Sequence, residues 1–120
     1  MKELIPEPNE CALSVQSSKD MKILSITGHI SELDTERIAR ALDDLFEKGC
    51  FKVVFDLAEV SYMTSSTLGQ MMRAYRITKE NDGFIRIVNP QPLVADIFRV
   101  TKLSRIFAIY DSLESALKTE

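Results

Sequence analysis

Four consecutive hydroxyl residues, Thr64, Ser65, Ser66 and Thr67, stand within the stretch SYMTSSTLGQMM, between an apolar strand-like run and a helical apolar pattern. A hydroxyl at such a junction can do one of three jobs. It can cap the helix by accepting a hydrogen bond from a free backbone N–H. It can act as a nucleophile if a base lies within reach. It can accept a phosphoryl group, whose charge of about −1.5 to −2 suits the positive end of a helix dipole. One cap accounts for one hydroxyl and leaves three.

The nucleophile option needs a base, and His29 is the only histidine. It would have to meet Ser65 or Ser66. Neither serine sits in a G-x-S-x-G elbow, since Met63, Thr64 and Thr67 surround them. There is no G-x-G-x-x-G and no G-x-x-x-x-G-K-[ST] phosphate loop. Cys11 and Cys50 match no metal spacing and predict two reduced thiols. The sequence therefore predicts no catalytic residue, no metal and no cofactor. Asp56 closes an apolar strand, a place where open α/β sheets put functional groups, although the same carboxylate can simply cap the following turn. Gly69 costs a helix about 1 kcal/mol relative to alanine, a cost that close approach by another backbone would justify. Gln70, Arg73 and Arg76 are expected to face outward beside it.

Around these residues the chain reads as one domain of 120 residues, 45% hydrophobic and 28% charged. The net charge of −3 and the scattered Lys and Arg argue against nucleic acid or an anionic membrane as a direct partner. No apolar run approaches the ~20 residues of a membrane span, and the opening MKELIPEPNE lacks the apolar core of a secretory signal. A cytoplasmic protein is expected.

Residues 1–10 read as an extended or disordered lead-in. CALSVQSS and MKILSITG then form a hairpin of strands ending at Gly28. SELDTERIARALDDLFEKG is the clearest helix, with Ile38, Ala41, Leu42, Leu45 and Phe46 on one stripe, Asp34 or Thr35 as its cap and Gly49 as its stop. FKVVFDL carries the unbroken apolar triplet of a strand covered on both faces. A second helix places Leu68, Met71, Met72 and Tyr75 inward. FIRIV is a strand, LVADIFRVTKL a helix with Leu93, Ile97 and Val100 on one side, IFAIY a strand, and DSLESALKTE a helix capped by Asp111 or Ser112. The order β-β-α-β-α-β-α-β-α predicts an α/β fold.

VVFDLAEVSYMTSSTLGQMM resembles the signature of STAS domains, in particular the small bacterial anti-sigma factor antagonists. Their pattern is an apolar strand, Asp-Leu-Ser, an apolar position, Ser-[Phe/Tyr]-[Met/Ile]-Asp-Ser-[Ser/Thr]-Gly-Leu-Gly, then a helix. Asp56-Leu57, Val60, Ser61-Tyr62-Met63, Ser65-Ser66, Leu68 and Gly69 match it. Thr64 stands where the family has Asp, and Thr67 where it has Gly.

The resemblance implies a single STAS-like domain over residues 11–120, with a mixed, mostly parallel sheet of about five strands and about four helices. It implies a non-enzymatic anti-sigma factor antagonist that switches partners. Such a protein binds an anti-sigma factor with serine kinase activity, is released when that kinase phosphorylates it, and is reset by a phosphatase. By position the acceptor is Ser65, with Ser66, Thr64 and Thr67 as lesser candidates. Asp56, Thr64, Ser66, Thr67, Gly69, Gln70, Arg73 and Arg76 form the expected partner-binding set, and weak self-association is compatible with it. The alternative is a constitutive STAS scaffold, or a transporter-associated subunit, that binds without phosphorylation.

Overall fold

The structure is a computed structural model, and it describes residues 11–118. The expected lead-in at residues 1–10 lies outside that range. Strand β1 (Ala12–Ser18) and strand β2 (Met21–His29) form the antiparallel hairpin, turning at Lys19 in the left-handed region. Strands β3 (Lys52–Tyr62), β4 (Phe84–Val88) and β5 (Ala108–Tyr110) then add in parallel, in the spatial order β1-β2-β3-β4-β5. Each parallel step is bridged by a helix: α1 (Glu32–Glu47), α2 (Ser65–Glu80) and α3 (Pro92–Val100). Consecutive right-handed crossovers that always move the same way put their helices on one face of the sheet. Helix α4 (Leu113–Leu117) follows β5 and packs on the other face.

This layering explains the apolar triplet. Val53 and Phe55 point into the main core with Ile38, Leu42, Met71, Val94 and Phe98, while Val54 points into a smaller core beneath α4 with Met21, Ile23, Val88 and Ala116. Arg86 anchors that smaller side by donating to the carbonyls of Ala116 at 2.8 Å and Lys118 at 3.1 Å, at the end of α4.

Helix α1 starts earlier than its expected caps. Ser31 is the N-cap, and Asp34 is the third helical residue. The Ser31 hydroxyl accepts the Asp34 N–H, and the Asp34 carboxylate accepts the Ser31 N–H at 3.0 Å, which satisfies two orphan donors reciprocally. Thr35, the other expected cap, lies one turn in and is buried. Gly49 ends the helix as expected. With φ +80°, it allows Gly49 N–H to bond the Phe46 carbonyl and Cys50 N–H to bond the Leu45 carbonyl.

Two helix faces are rotated from their expected stripes. In α2 the buried positions are Thr67, Met71, Ala74 and Thr78, with Leu68, Met72 and Tyr75 only partly covered. In α3 the buried residues are Val94 and Phe98, while Leu93 and Val100 are exposed. The aromatic chain Tyr75–Phe107–Phe98, edge to face at centroid distances of 5.8 and 6.0 Å, accounts for the second case. It holds Phe98 against Phe107, which bridges to α2, and turns Leu93 and Val100 of α3 outward. Cys11 and Cys50 are both free thiols.

Candidate functional site

The site is built at the end of β3. This strand runs well beyond the expected FKVVFDL segment, because past Asp56 it loses β4 and continues alone beside β2. Ser25 pairs with Asp56 and Thr27 with Glu59, so β3 carries one extra residue there; a second extra residue precedes the His29–Tyr62 pair. Each insertion bends and twists the strand. Asp56 stabilises the first of them, its Oδ1 accepting the Ala58 N–H at 3.2 Å. The Ala58 carbonyl in turn accepts the Gln91 Nε2 donor at 3.0 Å, which ties the start of α3 to the bulged strand. Asp56 thus takes the turn-capping role of its two sequence options.

At the far end, the Ile30 N–H bonds the Tyr62 carbonyl at 2.9 Å, and the His29 and Tyr62 rings pack at 4.8 Å between centroids. That contact holds His29 on an aromatic ring. Met63 is buried, and the chain enters α2 through Thr64, whose backbone is extended at φ −94°, ψ 170°.

The four hydroxyls then separate by role. Thr64 is the N-cap: its Oγ1 accepts the Thr67 N–H at 3.4 Å. Ser65 and Ser66 are the first two helical residues, and both side chains are exposed. Their N–H groups begin the helix and have no carbonyl four residues back within it. Thr67 is buried, 1% exposed, and its hydroxyl meets the hydroxyl of Thr35 on α1 at 2.9 Å. Thr67 therefore does not reach the surface with the other expected partner-binding residues.

Farther along α2, Gly69 is exposed, and a Cβ built there would meet nothing within 4 Å. Among the described residues nothing requires glycine at that position. Arg76 is exposed as expected. Gln70 and Arg73 are half-buried and committed to the helix pair: Arg73 Nε donates to Gln70 Oε1, and Arg73 Nη2 pairs with Asp43 on α1 at 2.9 Å. Ser65, Ser66, Gly69 and Arg76 thus form one open helical face, with Arg73 at its inner border. Among the described residues no group of three or more His, Cys, Asp or Glu is arranged to hold a metal ion, and no helix is long and apolar enough to cross a membrane.

Ser31 and the exposed apolar residues Leu33 (75% exposed) and Tyr62 (39%) were not among the expected site residues. The S-x-x-D spacing of Ser31 and Asp34 carried the signal for the first. Nothing in the local pattern marks the other two.

A five-stranded mixed sheet with a bulged central strand that delivers exposed serines to a helix N-terminus defines the class of this protein. Residues 12–116 match the STAS domain family, and the chain belongs to it. Within the family, its relatives are anti-sigma factor antagonists. A candidate anti-sigma factor antagonist of Thermotoga neapolitana is 30% identical over 76 residues, which span 63% of this chain and 67% of the relative. The anti-sigma F factor antagonist of Paenibacillus polymyxa is 21% identical over 106 residues, spanning 88% of this chain and 91% of the relative. Among solved structures, an anti-sigma factor antagonist from Mycobacterium paratuberculosis shares the fold with a TM-score of 0.83 at 20% identity, over 94% of this chain and 96% of the other. So does the Bacillus cell fate determinant SpoIIAA in its phosphorylated form, with a TM-score of 0.74 at 18% identity, over 88% and 96%.

Proposed function

We propose that the chain is a non-enzymatic, cytoplasmic partner-switching regulator. It binds an anti-sigma factor that is also a serine kinase, is released when Ser65 is phosphorylated, and is reset by a phosphatase. The observation that carries this reading is the division of labour at the start of α2. Thr64 supplies the cap, so the Ser65 hydroxyl is exposed at the first helical position with no structural duty. A phosphate there would lie beside free N–H groups and the positive end of the dipole, so the fold would accept it. Its cost would fall on a partner seated over the same helix end, which would have to desolvate the new charge.

The open face of α2 supports the docking half of the reading. Gly69 carries a helix penalty that no contact among the described residues offsets, and a partner backbone lying against it would supply the reason. Ser66 and Arg76 flank that approach, with Thr64, Gln70 and Arg73 behind it as the groups that fix its shape, while Asp56 acts at a distance by holding the bulge of β3 that leads to the helix. A relative known in a phosphorylated form shares this fold. The replacement of the family Asp by Thr64 keeps the cap and removes one negative charge beside the acceptor.

Affinity of the wild-type chain and of Ser65→Asp for the anti-sigma factor tests the reading. A loss of about tenfold or more, ~1.4 kcal/mol, is expected. Equal affinity would favour the constitutive scaffold instead.

A further inference from the structure

The buried contact between α1 and α2 holds a chain of hydroxyls that hydrophobic packing does not require. Thr35 is 5% exposed and Thr67 is 1% exposed, and their Oγ1 atoms are 2.9 Å apart. Thr67 Oγ1 also lies 3.4 Å from Thr64 Oγ1, and Thr35 Oγ1 donates to the Ser31 carbonyl at 3.0 Å. A threonine hydroxyl has a single proton to give. The Ser31 carbonyl can only accept, so the Thr35 proton is spent there. Thr67 must then donate to Thr35, and Thr64 to Thr67. The fully bonded arrangement has one direction, from the cap of α2 to the cap of α1. Among the described residues no buried side-chain nitrogen or oxygen is left without a partner, so this chain is complete.

We propose that this hydroxyl chain couples the charge state of Ser65 to the start of α1, with Thr67 and Thr35 as positioning residues. The link at the Ser65 end is the Thr67 N–H, shared between the Thr64 carbonyl at 3.1 Å and, more weakly, Thr64 Oγ1 at 3.4 Å. An anionic oxygen on the Ser65 side chain is a stronger acceptor than a neutral hydroxyl and competes for that N–H. Once Thr64 Oγ1 loses its donor, its own contact to Thr67 is free to change. Each later hydroxyl has only one proton with which to respond, so the readjustment passes to Thr35 and the Ser31 carbonyl. In the partly apolar space between two helices, such bonds polarise one another more than they would in water. The buried Thr67, at the position where the family pattern has glycine, is what makes the connection.

This inference rests on Ser65 as the site of modification, but its test needs no kinase. Backbone amide spectra of the ¹⁵N-labelled full chain are compared with and without Ser65→Glu, which places a carboxylate at the first helical position. The pair is then repeated in Thr67→Val, Thr67→Ser and Thr35→Val backgrounds. The expected result is a shift of the Ser31, Asp34 and Thr35 amides on introducing Glu, lost in Thr67→Val and Thr35→Val and restored in Thr67→Ser. Shifts of equal size in the valine backgrounds, or none in the native background, would overturn the coupling. Thr35→Val decides the matter alone if Thr67→Val does not fold. A negative kinase assay leaves these spectra meaningful, and flat spectra leave the phosphorylation reading of Ser65 untouched.

Discussion

The Thr67 N–H bonds back to the Thr64 hydroxyl at 3.4 Å, and this one contact releases Ser65 from capping. Thr64→Ala should therefore cost about 1 kcal/mol, the usual worth of a threonine N-cap. Ser65→Ala should change stability by no more than ~0.5 kcal/mol, as befits an exposed position whose side chain makes no hydrogen bond among the described residues. Urea melts of both variants check this. A larger loss for Ser65→Ala than for Thr64→Ala would reassign the cap.

Gly69 separates folding from docking. Its site is open, its φ is not in the left-handed region, and alanine is the better helix former, so Gly69→Ala should stabilise the chain by up to ~1 kcal/mol. The same methyl group should weaken binding to the anti-sigma factor if a backbone approaches there. Calorimetric titration alongside thermal melts distinguishes the two effects. Gly83 offers the contrast. A Cβ there would overlap the Phe51 carbonyl, so Gly83→Ala should destabilise the fold.

Phe55 lies at the centre of the sheet, 1% exposed, with core helices above it. Phe55→Ala should cost about 3–5 kcal/mol by leaving a cavity that the neighbouring strands cannot close. Denaturant unfolding monitored by circular dichroism measures it.

Asp34 sets part of the acid limit. Burial pushes its carboxyl up, but bonds from the Ser31 N–H and hydroxyl, together with Arg37, outweigh that and hold it below the ordinary carboxylate range. A depressed folded value means stability that is present above the unfolded pKa and lost as pH falls through the folded one. Asp34→Asn should therefore destabilise the chain near neutral pH and flatten the acid limb of its pH–stability curve below about pH 4, where Asp normally titrates. Parallel limbs in the two proteins would remove Asp34 from the account.

Element order and sheet type were legible because β-branched runs alternate cleanly with helical spacing, and because Val53-Val54-Phe55 can only suit a strand covered on both sides. Helix orientation was less legible. The α2 core stripe includes Thr67 and Thr78, polar residues that an apolar count passes over, so the apolar pattern looked rotated. In α3, Phe98 is committed to Phe107, a partner distant enough in sequence that local spacing carries no trace of it. The length of β3 depended on two bulges beside β2, which are set by pairing rather than by composition. At the site, capping preferences put the hydroxyl run at the start of α2 but left its members equivalent; Ser65 was singled out by its place in the family pattern, and the exposure of Ser65 and Ser66 is seen only in the folded chain. The inward turn of Thr67 and the commitment of Arg73 to Asp43 depend on α1 lying alongside, which no stretch of α2 encodes.

Phosphate mapping tests the central claim most directly. The chain is incubated with ATP and the kinase-type anti-sigma factor, and its peptides are analysed by mass spectrometry. A single phosphate on Ser65 is expected, abolished in Ser65→Ala, with the modified chain released from the anti-sigma factor. An unmodified 64–67 segment, under conditions that phosphorylate a control antagonist, would contradict it.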